Sequence, residues 1–138
     1  MKSCFVYSDG GARGNPGPAA GAAVVYEDVN GQPGEVVGTA FKTFAHATNN
    51  VAEYTGIIVG LQKAHALGFT HVSCRMDSEL AVKQLNGQYK VKNPDLGKLF
   101  LEVHNLKMTF TKVTFTHIRR AQNAAADALV NEAIDGIL

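Results

Sequence analysis

The sequence has no tryptophan, only two cysteines and four prolines, and no long hydrophobic run. Cys4 and Cys74 lie far apart in apolar stretches and lack CxxC spacing, so we interpret them as small buried residues of a reduced protein. The first residues do not form the apolar run of a secretory signal, and no stretch approaches the roughly 20 apolar residues of a membrane span. These absences predict a cytoplasmic protein that does not enter a membrane.

Excess charge of either sign is also missing. Thirteen Lys and Arg residues against twelve Asp and Glu residues leave a formal net charge of +1. No strong overall field therefore attracts the protein to nucleic acid or to anionic membranes. Binding of a polyanion would have to depend on local geometry.

The length of 138 residues and the hydrophobic fraction of 46% are typical of one compact domain with its own core, which excludes a disordered protein. No internal repeat, linker or low-complexity segment divides the chain. We therefore expect residues 1–138 to form a single domain, and we expect a monomer.

Three strands are predicted in the first third of the chain. Apolar and β-branched residues cluster at positions 4–7, 19–26 and 36–44, with breaks rich in Gly and Pro between them. Residues 30–34 supply the Asn, Gly and Pro backbone angles of a hairpin connection. The three strands are therefore expected to form an antiparallel meander.

A long helix follows the meander. Apolar residues recur at helical spacing after Thr48, with Thr48, Asn49 or Asn50 as the N-cap and Gly68 as the stop signal.

Two short strands and three more helices are predicted in the rest of the chain. The strands cover residues 71–76 and 112–117, and the last helix covers residues 123–137. One helix begins at Asn93-Pro94, and another, capped by Ser78, is expected to turn one apolar face inward, formed by Leu80, Ala81, Val82 and Leu85. The element order βββαβααβα predicts an α/β domain in which helices cover a five-stranded mixed sheet.

Four acidic residues lie among apolar or uncharged neighbours. Asp9 follows the first strand and precedes Gly10-Gly11, where we expect a sharp turn, and Asp77 ends a short strand. Glu53 is expected in the first turn of the long helix and Asp127 in the first turns of the last helix. Each alone is also explained as a turn, capping or helix-dipole residue. Together they are harder to explain that way, because no Lys or Arg lies three or four residues from any of them in a helical pair.

Four carboxylates in one place would repel one another unless cations neutralised them. Hard oxygen ligands select Mg²⁺ or Mn²⁺ rather than zinc. The sequence shows no constellation of His, Cys or Ser that would supply a nucleophile. The pattern therefore predicts a divalent-metal site and two-metal phosphodiester hydrolysis.

Four motifs in order along the whole chain give a resemblance to a known family. They are Asp9-Gly10-Gly11 with residues 14–17 (Gly-Asn-Pro-Gly), residues 48–53 (Thr-Asn-Asn-Val-Ala-Glu), Asp77-Ser78, and His117 with residues 123–127 (Asn-Ala-Ala-Ala-Asp). In these motifs the chain resembles ribonuclease HI, the hydrolase that cuts the RNA strand of RNA-DNA hybrids.

The resemblance implies a fold, a reaction and a set of metal ligands. The fold is a five-stranded mixed sheet whose first three strands are antiparallel, and the products carry 5′-phosphate and 3′-hydroxyl ends. Two Mg²⁺ ions, with Mn²⁺ as a substitute, are expected at Asp9, Glu53, Asp77 and Asp127. By resemblance Asp9 bridges both ions, Glu53 and Asp77 complete one site, and Asp127 holds the ion that binds the attacking water.

The resemblance also implies substrate-binding residues. Asn15, Asn49 and Asn50 are suited to contact minor-groove edges and 2′-hydroxyls, because an amide both donates and accepts hydrogen bonds. Thr48 and Asn50 resemble a pocket for a DNA phosphate, a contact that positions the duplex without reading its sequence.

Three further positions depart from the better-known bacterial pattern. Glu79 occupies a place where the family usually has Gln, and a carboxylate accepts hydrogen bonds but cannot donate them. His117 has the spacing of a mobile catalytic histidine that helps product leave, but its segment lacks glycine, so Arg119 and Arg120 are candidate replacements as phosphate contacts. Residues 86–93 are too short for the basic handle of some members.

Two other functions stay open at this point. One is a non-catalytic nucleic-acid-binding module of the same fold, which would gain nothing from clustered negative charge near phosphates. The other is a broader nuclease that also cuts double-stranded RNA, which Glu79 leaves possible because it alters the expected hydrogen-bonding pattern.

Overall fold

Five strands form one mixed sheet in a computed structural model that describes residues 2–137. The strands are β1 (Ser3–Ala12), β2 (Gly17–Val29), β3 (Gln32–Ala47), β4 (His71–Met76) and β5 (Lys112–His117). Their order across the sheet is β3-β2-β1-β4-β5. β1, β2 and β3 pair antiparallel, whereas β4 pairs parallel with both β1 and β5. The predicted mixed sheet with an antiparallel meander is confirmed.

Within residues 2–137, four helices connect and flank the strands. They are α1 (Asn49–Ala66), α2 (Glu79–Leu85), α3 (Pro94–Lys107) and α4 (Ala124–Ile137), and a single 3₁₀ turn (Arg120–Gln122) precedes α4. Thr48 Oγ1 accepts from the backbone N–H of Val51 at 3.2 Å, and Ser78 Oγ accepts from that of Ala81 at 3.2 Å. Asn93 caps α3 in the same way. Of the three candidate caps of α1, Thr48 is the one used, and the predicted caps Ser78 and Asn93 and the predicted element order are confirmed.

The helices cover both faces of the sheet. Ala23 and Val25 of β2 belong to the main core with α1, whereas Ala20 and Ala22 pack against α4. Because successive side chains of a strand point to opposite faces, α1 and α4 lie on opposite sides of the sheet. The main core also takes in residues of α2, α3, β4 and β5.

Two local predictions were wrong because they depended on turns. The hairpin between β2 and β3 uses only two residues, Asn30 with φ 55° and Gly31 with φ 82°, and residues 32–34 already belong to β3. Two residues with positive φ form the turn that matches the twist of a hairpin. Gly10 and Gly11 lie inside β1, where they pair with β2, and do not form a turn.

Two predictions about residues in helices were also wrong, one about the buried face of α2 and one about the position of Glu53 along α1. Leu80 is 43% exposed, and the buried side of α2 includes Gln84, whose Oε1 accepts from the Tyr54 hydroxyl at 2.6 Å. A buried polar residue that is satisfied by a partner cannot be recognised from an apolar pattern. Glu53 lies beyond the first turn of α1, because the helix begins at Asn49.

Candidate active site

The parallel pairing of β1 and β4 places Asp9 beside Asp77. The last pair of this ladder is Ser8 with Met76. Asp9 is the next residue of β1, and Asp77 is the first residue after β4. Asp9 continues to pair with Ala22 of β2, and Asp77 leaves the sheet toward α2. Neighbouring parallel strands thus bring the two carboxylates to the same edge of the sheet.

Helix α1 brings Glu53 to the same place by an unusually close approach to the sheet. A Cβ atom on Gly10 would overlap the backbone of Ala52 and Glu53, and one on Gly21 would overlap the backbone of Ala52 and Gly56. Glycine therefore permits a helix-to-strand distance that any side chain would prevent. The absence of a side chain at Gly10 and at Gly21 lets Glu53 reach the ends of β1 and β4.

A cavity of about 300 Å³ contains all four predicted carboxylates. Asp127 reaches it from the first turn of α4 on the face opposite α1. The remaining wall includes Asn49, two arginines and residues of α4, among them Arg13, Arg120, Val130, Asn131 and Ile134. The structure thus brings together four acids that are distant in sequence, from Asp9 near one end of the chain to Asp127 near the other.

Burial and mutual repulsion disfavour the charged forms of these acids. Burial, together with the charges of Asp77 and then Asp127, raises the pKa of Asp9 from 3.8 to about 7. Burial also raises the pKa of Glu53, and Asp77 adds to that effect, while a hydrogen bond from Ser78 opposes it. Within residues 2–137 none of the four carboxylates has an ion-pair partner. Among the described residues, hydrogen bonds such as those from Ser78 and Asn123, and not ion pairs, offset their negative charge.

Asn123 is a site residue to which the sequence reasoning gave no role. Its Nδ2 donates to the backbone oxygen of Ser8 at 2.8 Å and to Asp77 Oδ1 at 3.1 Å, so it joins the start of α4 to β1 and to one carboxylate. The residue is 1% exposed, and its Oδ1 has no hydrogen-bond partner among the described residues. The sequence feature that could have identified Asn123 is its place as a polar residue at the start of an Ala-rich helix.

The donor set fits a hard divalent cation. Four carboxylates and the unpartnered Asn123 oxygen are oxygen ligands or acceptors in a region where negative charge is costly. Across residues 2–137, no group of three or more His, Cys, Asp and Glu side chains is arranged closely enough to hold a metal ion unaided. Mg²⁺ does not require such a cage, since it is commonly held by one or two carboxylates together with water and substrate phosphate.

Asn15 and Asn49 link the β1–β2 hairpin to the start of α1. Asn49 Oδ1 accepts from the backbone N–H of Ala12 at 2.7 Å, and Asn15 Oδ1 accepts from that of Asn49 at 2.9 Å. Both side-chain oxygens thus accept hydrogen bonds from backbone N–H groups, and the side-chain NH₂ groups can donate to a bound molecule.

A second cavity of about 270 Å³ lies between the starts of α1 and α3. It contains Asn15, Thr48 and Asn50, while Asn49 lines the carboxylate cavity instead. Asp95 is the charged residue of the second cavity's described lining. The structure therefore places Asn49 in one cavity and Asn15, Thr48 and Asn50 in the other.

Three predicted site residues line neither of these two cavities. Glu79 is at the start of α2, 2.8 Å from Lys83 Nζ, and this lysine and then His117 lower the pKa of Glu79. His117 is exposed at the end of β5, and Arg119 is exposed before the 3₁₀ turn. Arg120 does line the carboxylate cavity.

Comparison with known proteins is consistent with this arrangement. A family model described as reverse transcriptase-like matches residues 7–133. Ribonuclease H of Pseudomonas savastanoi pv. phaseolicola is 30% identical, over 98% of this chain and 95% of that protein. The chain belongs to the ribonuclease H family. The resemblance found in the four sequence motifs is thereby confirmed.

Other members of the ribonuclease H family are more similar in sequence but longer. Ribonuclease HI of Halobacterium salinarum is 43% identical over 94% of this chain and 63% of that protein. The bifunctional protein Rv2228c of Mycobacterium tuberculosis is also 43% identical over 94% of this chain, which spans only 35% of the mycobacterial protein.

Solved ribonuclease H structures confirm the fold. LC11-RNase H1, isolated from compost and solved in complex with an RNA/DNA hybrid, has a TM-score of 0.89 at 41% identity, covering 97% of this chain and 98% of that one. In the part of the chain described here, no helix is long and apolar enough to cross a membrane.

Proposed function

We propose that this protein is a ribonuclease H, a metal-dependent endonuclease that hydrolyses the RNA strand of RNA-DNA hybrids to give 5′-phosphate and 3′-hydroxyl ends. The observation that carries the proposal is the cavity in which Asp9, Glu53, Asp77 and Asp127 meet without a compensating ion pair among the described residues. Membership of the ribonuclease H family and a relative solved with RNA/DNA hybrid support the same reaction.

The four carboxylates would hold two Mg²⁺ ions, with Mn²⁺ as a substitute. Such ions, when bound, lower the pKa of water and neutralise charge on a phosphate undergoing in-line displacement. Asp9, which has both Asp77 and Asp127 as charged neighbours, would serve both ions, and Asn123 would orient the Asp77 carboxylate through Nδ2.

The substrate would lie across both cavities. The amide N–H groups of Asn15 and Asn49 can donate to 2′-hydroxyl or minor-groove acceptors, since their oxygens are held by the backbone. Thr48 and Asn50 would bind a DNA phosphate in the second cavity. Because Asp95 also lines that cavity, hydrogen-bond donors and the N-terminal dipole of α1 must supply the attraction.

Four further residues near the site would assist binding or product release. His117 would assist departure of product from the exposed end of β5, and Arg119 and Arg120 would contact phosphates. Glu79, paired with Lys83, would influence the choice between hybrid and double-stranded RNA. We further propose that residues 1–138 act as one catalytic domain of a monomeric, cytoplasmic protein.

Conservative substitution of each acid tests the catalytic assignment. We expect Asp9→Asn, Glu53→Gln and Asp77→Asn to reduce cleavage of hybrid by at least about 100-fold, because each removes a metal ligand, and Asp127→Asn to have the mildest effect. Binding of hybrid by Asp9→Asn should be as tight as in the wild type or tighter, since a charge that repels phosphate is lost.

The matched control is Glu102→Gln, which neutralises an exposed acid of α3 outside both cavities. This variant should cleave hybrid at the wild-type rate. Retention of a tenth or more of the wild-type rate by folded Asp9→Asn, roughly the effect of a single lost charged hydrogen bond, would contradict the assignment.

A further inference from the structure

Arg13 lines the carboxylate cavity but has no part in the function proposed above. It lies directly after β1, at the tip of the β1–β2 hairpin, and it is one of two cationic residues in the cavity's described lining, the other being Arg120. Arg13 therefore places a cation at a cavity whose four carboxylates have no ion-pair partner among the described residues.

The backbone around Arg13 is firmly held. The N–H of Arg13 donates to the backbone oxygen of Pro18 at 2.8 Å, which closes the hairpin. The preceding N–H, that of Ala12, donates to Asn49 Oδ1 at 2.7 Å, and this contact ties the hairpin to α1. The side chain of Arg13 therefore starts from a fixed position at the rim of the cavity.

The guanidinium group of Arg13 contacts α4 rather than the four carboxylates. Its Nη2 lies 3.1 Å from Asp135 Oδ1 and 3.3 Å from Asn131 Oδ1. The side chains of Arg13 and Asp135 are 45% and 65% exposed, so water screens this ion pair. Arg13 can exchange such a partner for a phosphate at little cost, and a guanidinium group matches phosphate geometry with two parallel hydrogen bonds.

We propose that Arg13 is a substrate-binding residue that contacts a phosphate of the RNA strand next to the cleaved bond, and that Asp135 and Asn131 hold its guanidinium group when no nucleic acid is bound. This inference rests on the proposed ribonuclease H function. Two divalent ions would do no more than balance the charge of the four carboxylates, so the negative charge of a bound diester would need a further cation, and Arg13 lines the same cavity.

The alternative is that Arg13 only ties the hairpin to α4. The two roles differ in what removal of Asp135 does. If the ion pair itself matters, Asp135→Asn should resemble Arg13→Ala. If Arg13 binds phosphate, Asp135→Asn should leave binding intact or strengthen it, because a competing carboxylate is removed.

The test compares wild type with Arg13→Ala, Arg13→Lys, Asp135→Asn and the control Lys112→Ala. Lys112 is an exposed cation at the start of β5, the opposite end of that strand from the catalytic edge, so the control loses the same charge. Steady-state cleavage of a hybrid with Mg²⁺ is measured across a range of salt concentrations. Binding of the hybrid in chelator is measured by fluorescence anisotropy.

We expect Arg13→Ala to raise KM about tenfold, as for one charged hydrogen bond, with kcat within about twofold of wild type. The slope of log affinity against log salt should fall by about one. The KM of Arg13→Lys should lie between those of wild type and Arg13→Ala. Asp135→Asn should have the wild-type KM or a lower one, and Lys112→Ala should match wild type in KM and in salt slope.

Three results would overturn the inference. They are an unchanged KM and salt slope in Arg13→Ala, an effect of the same size in Lys112→Ala, or an Asp135→Asn variant that behaves like Arg13→Ala. A folded wild type that binds hybrid but does not cleave it would instead defeat the proposed function. The anisotropy series still tests Arg13 in that case.

Discussion

Asp9 shows how much of the site's chemistry follows from the surroundings of one side chain. Its carboxyl is close to Asp77 and Asp127, and burial together with these neighbours raises its pKa from 3.8 to about 7. Between these two pH values the folded protein binds more protons at Asp9 than the unfolded chain does. Asp9 therefore lowers the stability of the metal-free protein progressively as the pH rises through this interval.

Replacement of Asp9 by asparagine should remove this penalty. We expect the metal-free Asp9→Asn variant to melt a few degrees above wild type at about pH 8, and the difference to shrink toward about pH 4, where the wild-type carboxyl is protonated. Addition of Mg²⁺ should reduce the difference in melting temperature between the variant and the wild type, because the ion binds and stabilises the folded wild type.

Calorimetry across this pH range measures the effect, with Glu102→Gln as the control that should show no such trend. A lower melting temperature for Asp9→Asn than for wild type at about pH 8 would show that Asp9 is a structural residue. Repulsion among the clustered carboxylates would then not be what governs the stability of the metal-free protein.

At the scale of elements, the position of α1 decides whether Glu53 reaches the strand ends. The helix rests on the backbone at Gly10 and Gly21, where an added Cβ would overlap backbone atoms of Ala52. This contact is rigid, because backbone cannot move aside as a flexible side chain can. The geometry of the site thus depends on glycines that carry no functional group.

The substitution Gly10→Ala should therefore destabilise the fold by about 1–3 kcal/mol through overpacking, and reduce cleavage further by displacing Glu53. Gly97→Ala in α3 is the matched control, since a Cβ there meets no described atom within 4 Å. The control should stabilise the helix by up to about 1 kcal/mol. Chemical denaturation measures both changes, and equal stability of Gly10→Ala and wild type would contradict the close approach.

Helix starts could be predicted from the sequence, whereas the packing of the helices could not. Thr48, Ser78 and Asn93 cap their helices through hydrogen bonds to residues two or three positions later, so the signal is local. The exposure of Leu80 and the packing role of Gly10 depend on residues distant in sequence. A local sequence pattern does not show which distant residues a helix or strand will pack against.

At the scale of the whole molecule, the sheet topology assembles the site. Strands β1 and β4 are distant in sequence but adjacent in space, and α1 and α4 approach their ends from opposite faces. The four acids could be proposed as one site from the sequence because two of them follow predicted strands. Asn123 and Arg13 could not, because their importance comes from contacts with Ser8, Asp77 and Asp135 that only the fold creates.

The most direct test of the proposed function is a comparison of substrates. Purified wild-type protein and Asp9→Asn are incubated with end-labelled RNA-DNA hybrid, RNA duplex and DNA duplex, each with Mg²⁺ and with chelator. The account predicts that wild type cuts the RNA strand of the hybrid only when Mg²⁺ is present, leaving 5′-phosphate and 3′-hydroxyl ends, and that Asp9→Asn does not. Intact hybrid after incubation with folded wild type and Mg²⁺, or equal cleavage in chelator, would contradict it.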